Sequence, residues 1–199
     1  MKTIANALSF EQTINKSRFI CQLIPVNSVS LAKEALQAIK KTHHLATHHC
    51  YAYIIGENQA LAKFSDDNEP SNTAGSVIYG VLNKHELTDI LAVVTRYYGG
   101  IKLGAGGLVR AYGSSVALAL ENASFVNIIK YLILELKFDY SYLHNVQKVL
   151  TNYQEKKKCF ETKITLEVLI PKDEADFVIN QLIDQTKNTI EITKKDYQF

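Results

Sequence analysis

The chain has 199 residues and a hydrophobic content of 47%, enough for one large domain or two small ones, so extensive disorder is not expected. Its 22 basic and 20 acidic residues give a formal net charge of +2, which does not by itself indicate a nucleic-acid-binding or membrane-surface protein. We therefore expect no membrane attachment and no sequence-specific reading of DNA. Any function that depends on charge has to be local.

The cysteines and the N-terminal segment favour a soluble, cytoplasmic protein. Cys21, Cys50 and Cys159 are too few and too widely spaced for a disulfide framework or a CxxC zinc site. Polar and charged residues interrupt the N-terminal segment where a signal peptide needs an apolar core, and no later run approaches the length of a membrane span. We expect no bound cofactor.

The first part of the chain predicts alternating strands and helices. Its apolar spacing and turn residues indicate strands at Ile4–Ile14 and Ser17–Val26, a helix at Ser30–Lys41 with Ser30 as N-cap, strands at Cys50–Ile55 and Ala60–Phe64, a helix from Ala74 with Thr73 as N-cap, a buried central strand at Ile90–Tyr98, and a helix from Leu108 to about Asn122.

The second part has a different texture, since all nine glycines lie between Gly56 and Gly113. Its pattern predicts a strand, a helix, one or two strands, a helix and a strand, at Tyr131–Phe138, Tyr142–Tyr153, Lys158–Ile170, Lys172–Thr186 and Thr189–Thr193. This order is typical of a ferredoxin-like split βαβ domain. We therefore predict two domains, residues 1–130 and 131–199.

An acidic loop lies between a predicted strand and the helix that follows it. It carries Asp66, Asp67 and Glu69 within four residues, flanked by Ser65 and Thr73. Three carboxylates so close together repel one another unless a cation, a metal or water compensates them. The loop is either a set of hard oxygen ligands or a docking loop, or else an exposed turn whose Thr73 caps the next helix.

A glycine-rich segment follows the predicted central strand and leads into a helix. Glycines allow close backbone approach, and a helix N-terminus offers unpaired N–H groups to an anion. The candidate anion-binding or nucleic-acid-binding residues are Arg96, Lys102, Gly104, Gly106, Gly107 and Arg110. The segment matches neither a Walker A loop nor the GxGxxG fingerprint. The alternative is a tight turn whose arginines pair with the acidic loop.

Four of the six histidines lie between His43 and Cys50. Within a strand, only His48 and Cys50 of the group His48, His49 and Cys50 can share one face. These two residues are the only candidate metal ligands. The alternative is that they serve in polar packing or as a loop cap, and we assign no metal site. No GxSxG elbow marks a catalytic nucleophile.

Four ordered motifs carry a family resemblance. They are KSRF at Lys16–Phe19, THHCYAYIIG at Thr47–Gly56, SDDNEPSNTAG at Ser65–Gly75 and VVTRYYGGIKLGAGGLVRAY at Val93–Tyr112. Together they resemble the IMPACT family in its bacterial form. Asn68 and Asn72 stand where the family usually has glycine, and asparagine tolerates the left-handed backbone that glycine would adopt.

The resemblance implies an α+β protein. Its N-terminal mixed-sheet α/β domain would be like the second domain of a small-subunit ribosomal protein and the fourth domain of elongation factor G. Its C-terminal domain would be ferredoxin-like. The implied function is a non-enzymatic translation-associated regulator or a protein that binds RNA or the ribosome, and an acidic protein is the other partner we consider. Two alternatives stay open: a metal-dependent hydrolase or phosphoryl-processing enzyme that uses both loops, and a protein–protein interaction module.

Overall fold

The strands and helices follow the apolar periodicity of the sequence. The computed structural model describes residues 1–56 and 60–196. The strands are β1 (Lys2–Ile4), β2 (Leu8–Ile14), β3 (Ser17–Pro25), β4 (His48–Ile55), β5 (Leu61–Ser65), β6 (Ile90–Tyr97), β7 (Phe125–Asn127), β8 (Tyr131–Phe138), β9 (Gln154–Phe160), β10 (Ile164–Pro171) and β11 (Glu191–Asp196). The helices are α1 (Val29–Thr42), α2 (Gly75–Lys84), α3 (Gly104–Glu121), α4 (Leu143–Val149) and α5 (Ala175–Gln185).

The chain divides into two compact units, Met1–Ile128 and Ile129–Phe199. In the first unit, five of the described strands form a sheet in the order β2-β3-β6-β4-β5. The central strand β6 is buried on both sides because nearly all of its side chains are apolar. Leu91 and Val93 pack with α1 on one face, and Ala92 and Val94 pack with α2 and α3 on the other.

The α+β class is confirmed, with one correction to its detail. Every pairing within this five-stranded sheet is antiparallel, so the sheet is not mixed over the described residues. The predicted strand Ile4–Ile14 is also divided. The strand is interrupted between β1 and β2, and β1 pairs with β7 instead of continuing into the five-stranded sheet. Ile4 at the end of β1 is buried in the core, with only 1% of its surface exposed.

Two helices begin at residues other than those predicted. Ser28, not Ser30, is the N-cap of α1, and its hydroxyl accepts a hydrogen bond from the Leu31 N–H at 3.3 Å. Ser30 instead donates to Glu34 within the helix. α3 begins at Gly104, before the predicted Leu108, because the glycine-rich segment itself forms the first turn.

In the second unit, four of the described strands form an antiparallel sheet in the order β11-β8-β10-β9. Helices α4 and α5 cover one face of this sheet, where Leu134, Leu166 and Leu182 belong to the buried core. The element order β-α-β-β-α-β is that of a ferredoxin-like motif. α4 ends at Val149, short of the predicted Tyr153, because Leu150 closes the helix and the chain turns into β9.

Within the described part of the chain, no helix has both the length and the apolar character that crossing a membrane requires.

Candidate functional site

Asp66 of the acidic loop caps helix α2. Its Oδ1 accepts hydrogen bonds from the backbone N–H groups of Ala74 at 3.0 Å and Gly75 at 2.8 Å, and its Oδ2 accepts from Asn72 N–H at 3.0 Å. The predicted cap, Thr73, is therefore wrong: Ala74 is the N-cap, and the Thr73 hydroxyl donates to the Pro70 carbonyl at 2.6 Å. The helix is therefore capped by the Asp66 carboxylate, eight residues before Ala74, and not by the neighbouring Thr73 hydroxyl.

Removal of this cap provides a stability test. We expect Asp66→Ala to lower the free energy of unfolding by about 2 kcal/mol, because three backbone donors lose a charged acceptor at a helix N-terminus. Asp66→Asn keeps one acceptor oxygen and is expected to lose about half as much. Urea denaturation of the three proteins measures the difference. An alanine variant as stable as the parent would show that the cap contributes nothing.

Asp67 attaches the loop to strand β4. Its Oδ2 accepts a hydrogen bond from the His49 backbone N–H at 2.7 Å, and the Lys40 ammonium lies 3.5 Å from its Oδ1. The Asp67 carbonyl lies 2.8 Å from His48 Nδ1. Because a carbonyl can only accept, His48 Nδ1 carries a proton, and in the neutral imidazole Nε2 is left with the lone pair. Burial lowers the pKa of neighbouring His49.

The backbone of the acidic loop uses the conformations expected of its asparagines. Asn68 and Asn72 have φ values of 68° and 61°, and the Asp67 φ is 41°. Ser65 supports the same turn, since its hydroxyl accepts a hydrogen bond from the Asp67 N–H at 3.2 Å. The loop thus forms its tight turns with asparagine in positions where the resemblance leads one to expect glycine.

Glu69 points inward and pairs with Arg96. The Glu69 Oε1 accepts hydrogen bonds from Arg96 Nη1 at 2.6 Å and from the Tyr112 hydroxyl at 2.7 Å. Arg96 Nη2 donates to the Ser17 hydroxyl at 3.3 Å, and the guanidinium lies over the rings of Phe19 and Tyr98. Glu69 and Arg96 are only 9% and 5% exposed. The prediction of Arg96 as an anion-binding residue is therefore corrected in favour of the alternative, an arginine paired with the acidic loop, because its charge is balanced inside the protein.

Cys50 and His48, the candidate metal ligands, each contact other groups of the protein. The Cys50 thiol donates to the Asp66 carbonyl at 2.9 Å and lies 3.3 Å from the Tyr112 hydroxyl. Burial raises the pKa of this thiol to about 12, so it stays protonated at neutral pH, whereas metals bind the thiolate. Over residues 1–56 and 60–196, no three His, Cys, Asp or Glu side chains form a group that could hold a metal ion.

Ser17, Phe19 and Tyr112 complete the buried cluster and were not singled out by sequence reasoning. Phe19 is the cross-strand partner of Arg96 between β3 and β6, and Tyr112 comes from α3. All three lie within the quoted motifs at Lys16–Phe19 and Val93–Tyr112. That shared location was the available signal, but the sheet pairing that brings them together is not visible in local spacing.

An open cavity lies beside this cluster, at the N-terminus of α3. Its volume is about 390 Å³. Its polar lining includes Thr47, His48, Glu69, Arg96 and Lys102, and its apolar lining includes Pro70, Tyr98, Leu103, Ala105 and Leu108. The site is therefore both a closed ion pair and, next to that pair, an open recess.

The N-terminus of α3 has no side-chain cap. Its N-cap, Leu103, makes no capping hydrogen bond, and its first turn has no acidic residue. Gly104 and Gly106 are exposed, and Gly104 has a φ of 68°. A Cβ on Gly107 would lie 3.0 Å from the Leu103 Cβ. The unpaired N–H groups of this turn carry partial positive charge. In contrast to α2, which Asp66 caps, α3 presents this end to the cavity.

Two exposed cations lie near this turn. Lys102 lines the cavity, and the Arg110 guanidinium lies next to Gly106, 3.7 Å from the place where a Cβ on that glycine would be. Both side chains belong to residues that the structure shows as exposed. Of the predicted cations, Lys102 and Arg110 thus face solvent beside the helix N-terminus, and Arg96 supports the wall behind them.

These features define a two-unit α+β protein with a buried ion pair under an uncapped helix N-terminus, and comparison with known proteins identifies its family. The family model described as the Impact N-terminal domain matches residues 15–120. The chain belongs to the IMPACT family.

Known relatives extend this similarity over most of the chain. IMPACT family member YvyE of Bacillus subtilis (strain 168) is 48% identical over 152 residues, which cover 76% of this chain and 70% of that protein. IMPACT family member YigZ of Escherichia coli (strain K12) is 33% identical over 186 residues, 91% of each protein. A crystal structure described as a hypothetical protein superposes with a TM-score of 0.69 at 30% identity, covering 99% of this chain and 97% of that one.

Proposed function

We propose that this protein is a non-enzymatic, translation-associated RNA-binding protein that contacts RNA phosphates at the N-terminus of α3. The observation that carries the proposal is the uncapped first turn of α3, which opens beside the exposed cations Lys102 and Arg110. Unpaired N–H groups together with lysine and arginine are the elements that bind phosphate oxygens. Because the motifs resemble a family connected with translation, we take the bound phosphates to be those of RNA.

The acidic loop supports binding in preference to metal-assisted chemistry. Asp66 holds a helix N-terminus, Asp67 holds a strand, and Glu69 holds Arg96, so the three carboxylates face three different partners. A divalent cation would need several of these oxygens directed at one point. In this arrangement the loop builds one wall of the cavity and balances the charge of Arg96.

We expect Lys102→Ala and Arg110→Ala each to weaken binding of a short single-stranded RNA about threefold to tenfold, because each removes a phosphate contact. Fluorescence anisotropy at several salt concentrations measures this effect. The slope of log Kd against log salt should fall by about 0.7 for each contact removed, the value for single strands. Binding that is absent, or equal in the parent and in both variants, would contradict the proposal.

Lys33→Ala is the matched control for the loss of one charge. Lys33 is exposed on α1, which packs on the opposite face of the sheet from α3, so its removal should leave both the affinity and the salt slope unchanged. Polyglutamate at a matched charge tests the alternative of an acidic protein partner. If polyglutamate competes as well as RNA does, the cations bind acidic peptides in general and the RNA proposal is wrong.

The link to translation has a separate readout. We expect the parent protein to cosediment with ribosomal subunits in a sucrose gradient, and the Lys102→Ala/Arg110→Ala double variant to remain at the top of the gradient. The reason is that ribosomal RNA offers many accessible phosphates, and contacts with phosphates depend on these two cations. RNA binding in solution without any cosedimentation would separate RNA binding from a role at the ribosome.

A further inference from the structure

The cavity at the N-terminus of α3 has the size and the apolar walls of a site for a small planar group. Its volume of about 390 Å³ lies within the range of small-molecule sites. Pro70, Leu103 and Leu108 supply apolar surface. The Tyr98 ring is 44% exposed, and the buried Arg96 guanidinium lies 5.3 Å from its centroid. Nucleobases stack on aromatic rings presented in this way.

The polar groups on the cavity wall include a carboxylate, which only accepts hydrogen bonds. It belongs to Glu69, whose Oε1 lies 3.8 Å from His48 Nε2, and both residues line the cavity. A base that faces the Glu69 carboxylate therefore has to donate, as an exocyclic amino group does.

Arg96 adds a donor that the protein leaves unpaired. This residue is 5% exposed and lines the cavity, and its Nε–H has no hydrogen-bond partner within the described ranges 1–56 and 60–196. Buried polar groups are nearly always paired, so such a donor is left for an acceptor from outside the chain, either a water or a ligand atom. The ring nitrogen or carbonyl oxygen next to an amino group on a base is an acceptor of this kind.

We propose that this cavity binds one unstacked nucleotide whose base carries an exocyclic amino group, with its phosphate at the first turn of α3 and Lys102. The inference rests on the proposed RNA-binding function and specifies which part of an RNA the site takes. Cytosine, adenine and guanine carry such an amino group. Uracil has a carbonyl in its place and presents an acceptor to the Glu69 carboxylate.

Mononucleotides test this preference directly. The probes are two matched pairs, CMP against UMP and AMP against IMP, in which a carbonyl and a ring N–H replace the amino group and the acceptor nitrogen next to it, together with ribose 5-phosphate, which has no base. We expect CMP and AMP to bind about tenfold more tightly than UMP and IMP, the effect of one hydrogen bond to a charged or buried acceptor. Titration followed by the NMR shifts of the Gly104, Gly106 and Gly107 amides measures affinity and location together.

Variants at Tyr98 test the stacking contact. Tyr98→Ala should weaken CMP binding about fivefold or more, while Tyr98→Phe, which keeps the ring, should bind like the parent. An equal loss in both variants would show that the ring does not carry the contact and would overturn this part of the proposal.

The outcomes separate this inference from the proposed function. If ribose 5-phosphate binds as well as CMP, or if UMP binds as well as CMP, the base site is wrong although phosphate binding remains. If RNA binds in the anisotropy experiment but no mononucleotide shifts the glycine amides, RNA uses another surface and the base site is again wrong. If neither RNA nor any mononucleotide binds, both proposals fail.

Discussion

Glu69→Ala is expected to lower the free energy of unfolding by about 3–5 kcal/mol, because it leaves the Arg96 charge buried without its partner. The two groups are held at 2.6 Å, and both side chains are almost fully removed from solvent. Tyr112 would also lose the acceptor of its hydroxyl. Urea denaturation monitored by circular dichroism measures the loss. A change in the slope of the free energy of unfolding against urea concentration would show that unfolding no longer follows the same two-state transition.

Two further variants show whether the loss comes from burial of an unpaired charge. Glu11→Ala removes the exposed pair of Glu11 with Arg18, whose atoms lie 3.4 Å apart, and should change stability by less than about 1 kcal/mol. Glu69→Leu combined with Arg96→Met removes both buried charges and should recover much of the loss. If Glu69→Ala costs no more than Glu11→Ala, the buried pair does not stabilise the fold.

Gly75→Ala is expected to destabilise the protein by about 2–4 kcal/mol. A Cβ at this position would lie 2.5 Å from the carbonyl carbon and oxygen of Ser65, so the start of α2 and the end of β5 would have to separate. The Gly75 N–H also donates to Asp66, and any shift would weaken that cap. Thermal and urea denaturation both report the change.

Gly80→Ala, in the same helix, is the matched control. Nothing lies within 4 Å of a Cβ at Gly80, so this change should stabilise the protein by about 0.5–1 kcal/mol through the higher helix propensity of alanine. The two substitutions are chemically identical and differ only in their surroundings. Equal effects would mean that the contact between Gly75 and Ser65 does not constrain the fold.

The buried pair of Glu69 and Arg96 links stability to the proposed binding site. Both residues line the cavity, and Arg96 lies over the Tyr98 ring, so the ion pair holds the wall against which a base would stack. Lys102 lies on that wall as well, but its side chain belongs to an exposed residue. Lys102→Ala therefore tests binding, whereas Glu69→Ala changes the stability of the fold and the wall of the cavity together.

Much of the fold follows from local patterns. The unbroken apolar character of Ile90–Val94 predicts a central strand, and the structure buries it completely in β6. The ends of elements were predicted less well. At the start of α2 the sequence predicts Thr73 as the cap, but the structure caps the helix with Asp66, which the folded acidic loop brings to it. The sequence predicts a glycine-rich turn before Leu108, whereas in the structure α3 already begins at Gly104.

The sequence by itself determined the family, the α+β class and the residues of the acidic and glycine-rich segments, because motifs and apolar periodicity are local properties of the chain. The tertiary structure alone decided which contacts those residues make. Arg96 and Glu69 lie 27 positions apart, and Arg96 and Ser17 lie 79 apart, so their meeting depends on the β3–β6 pairing and on loop closure. That long-range packing buries Arg96 while it leaves Lys102 and Arg110 in solvent, which no local pattern of charges could distinguish.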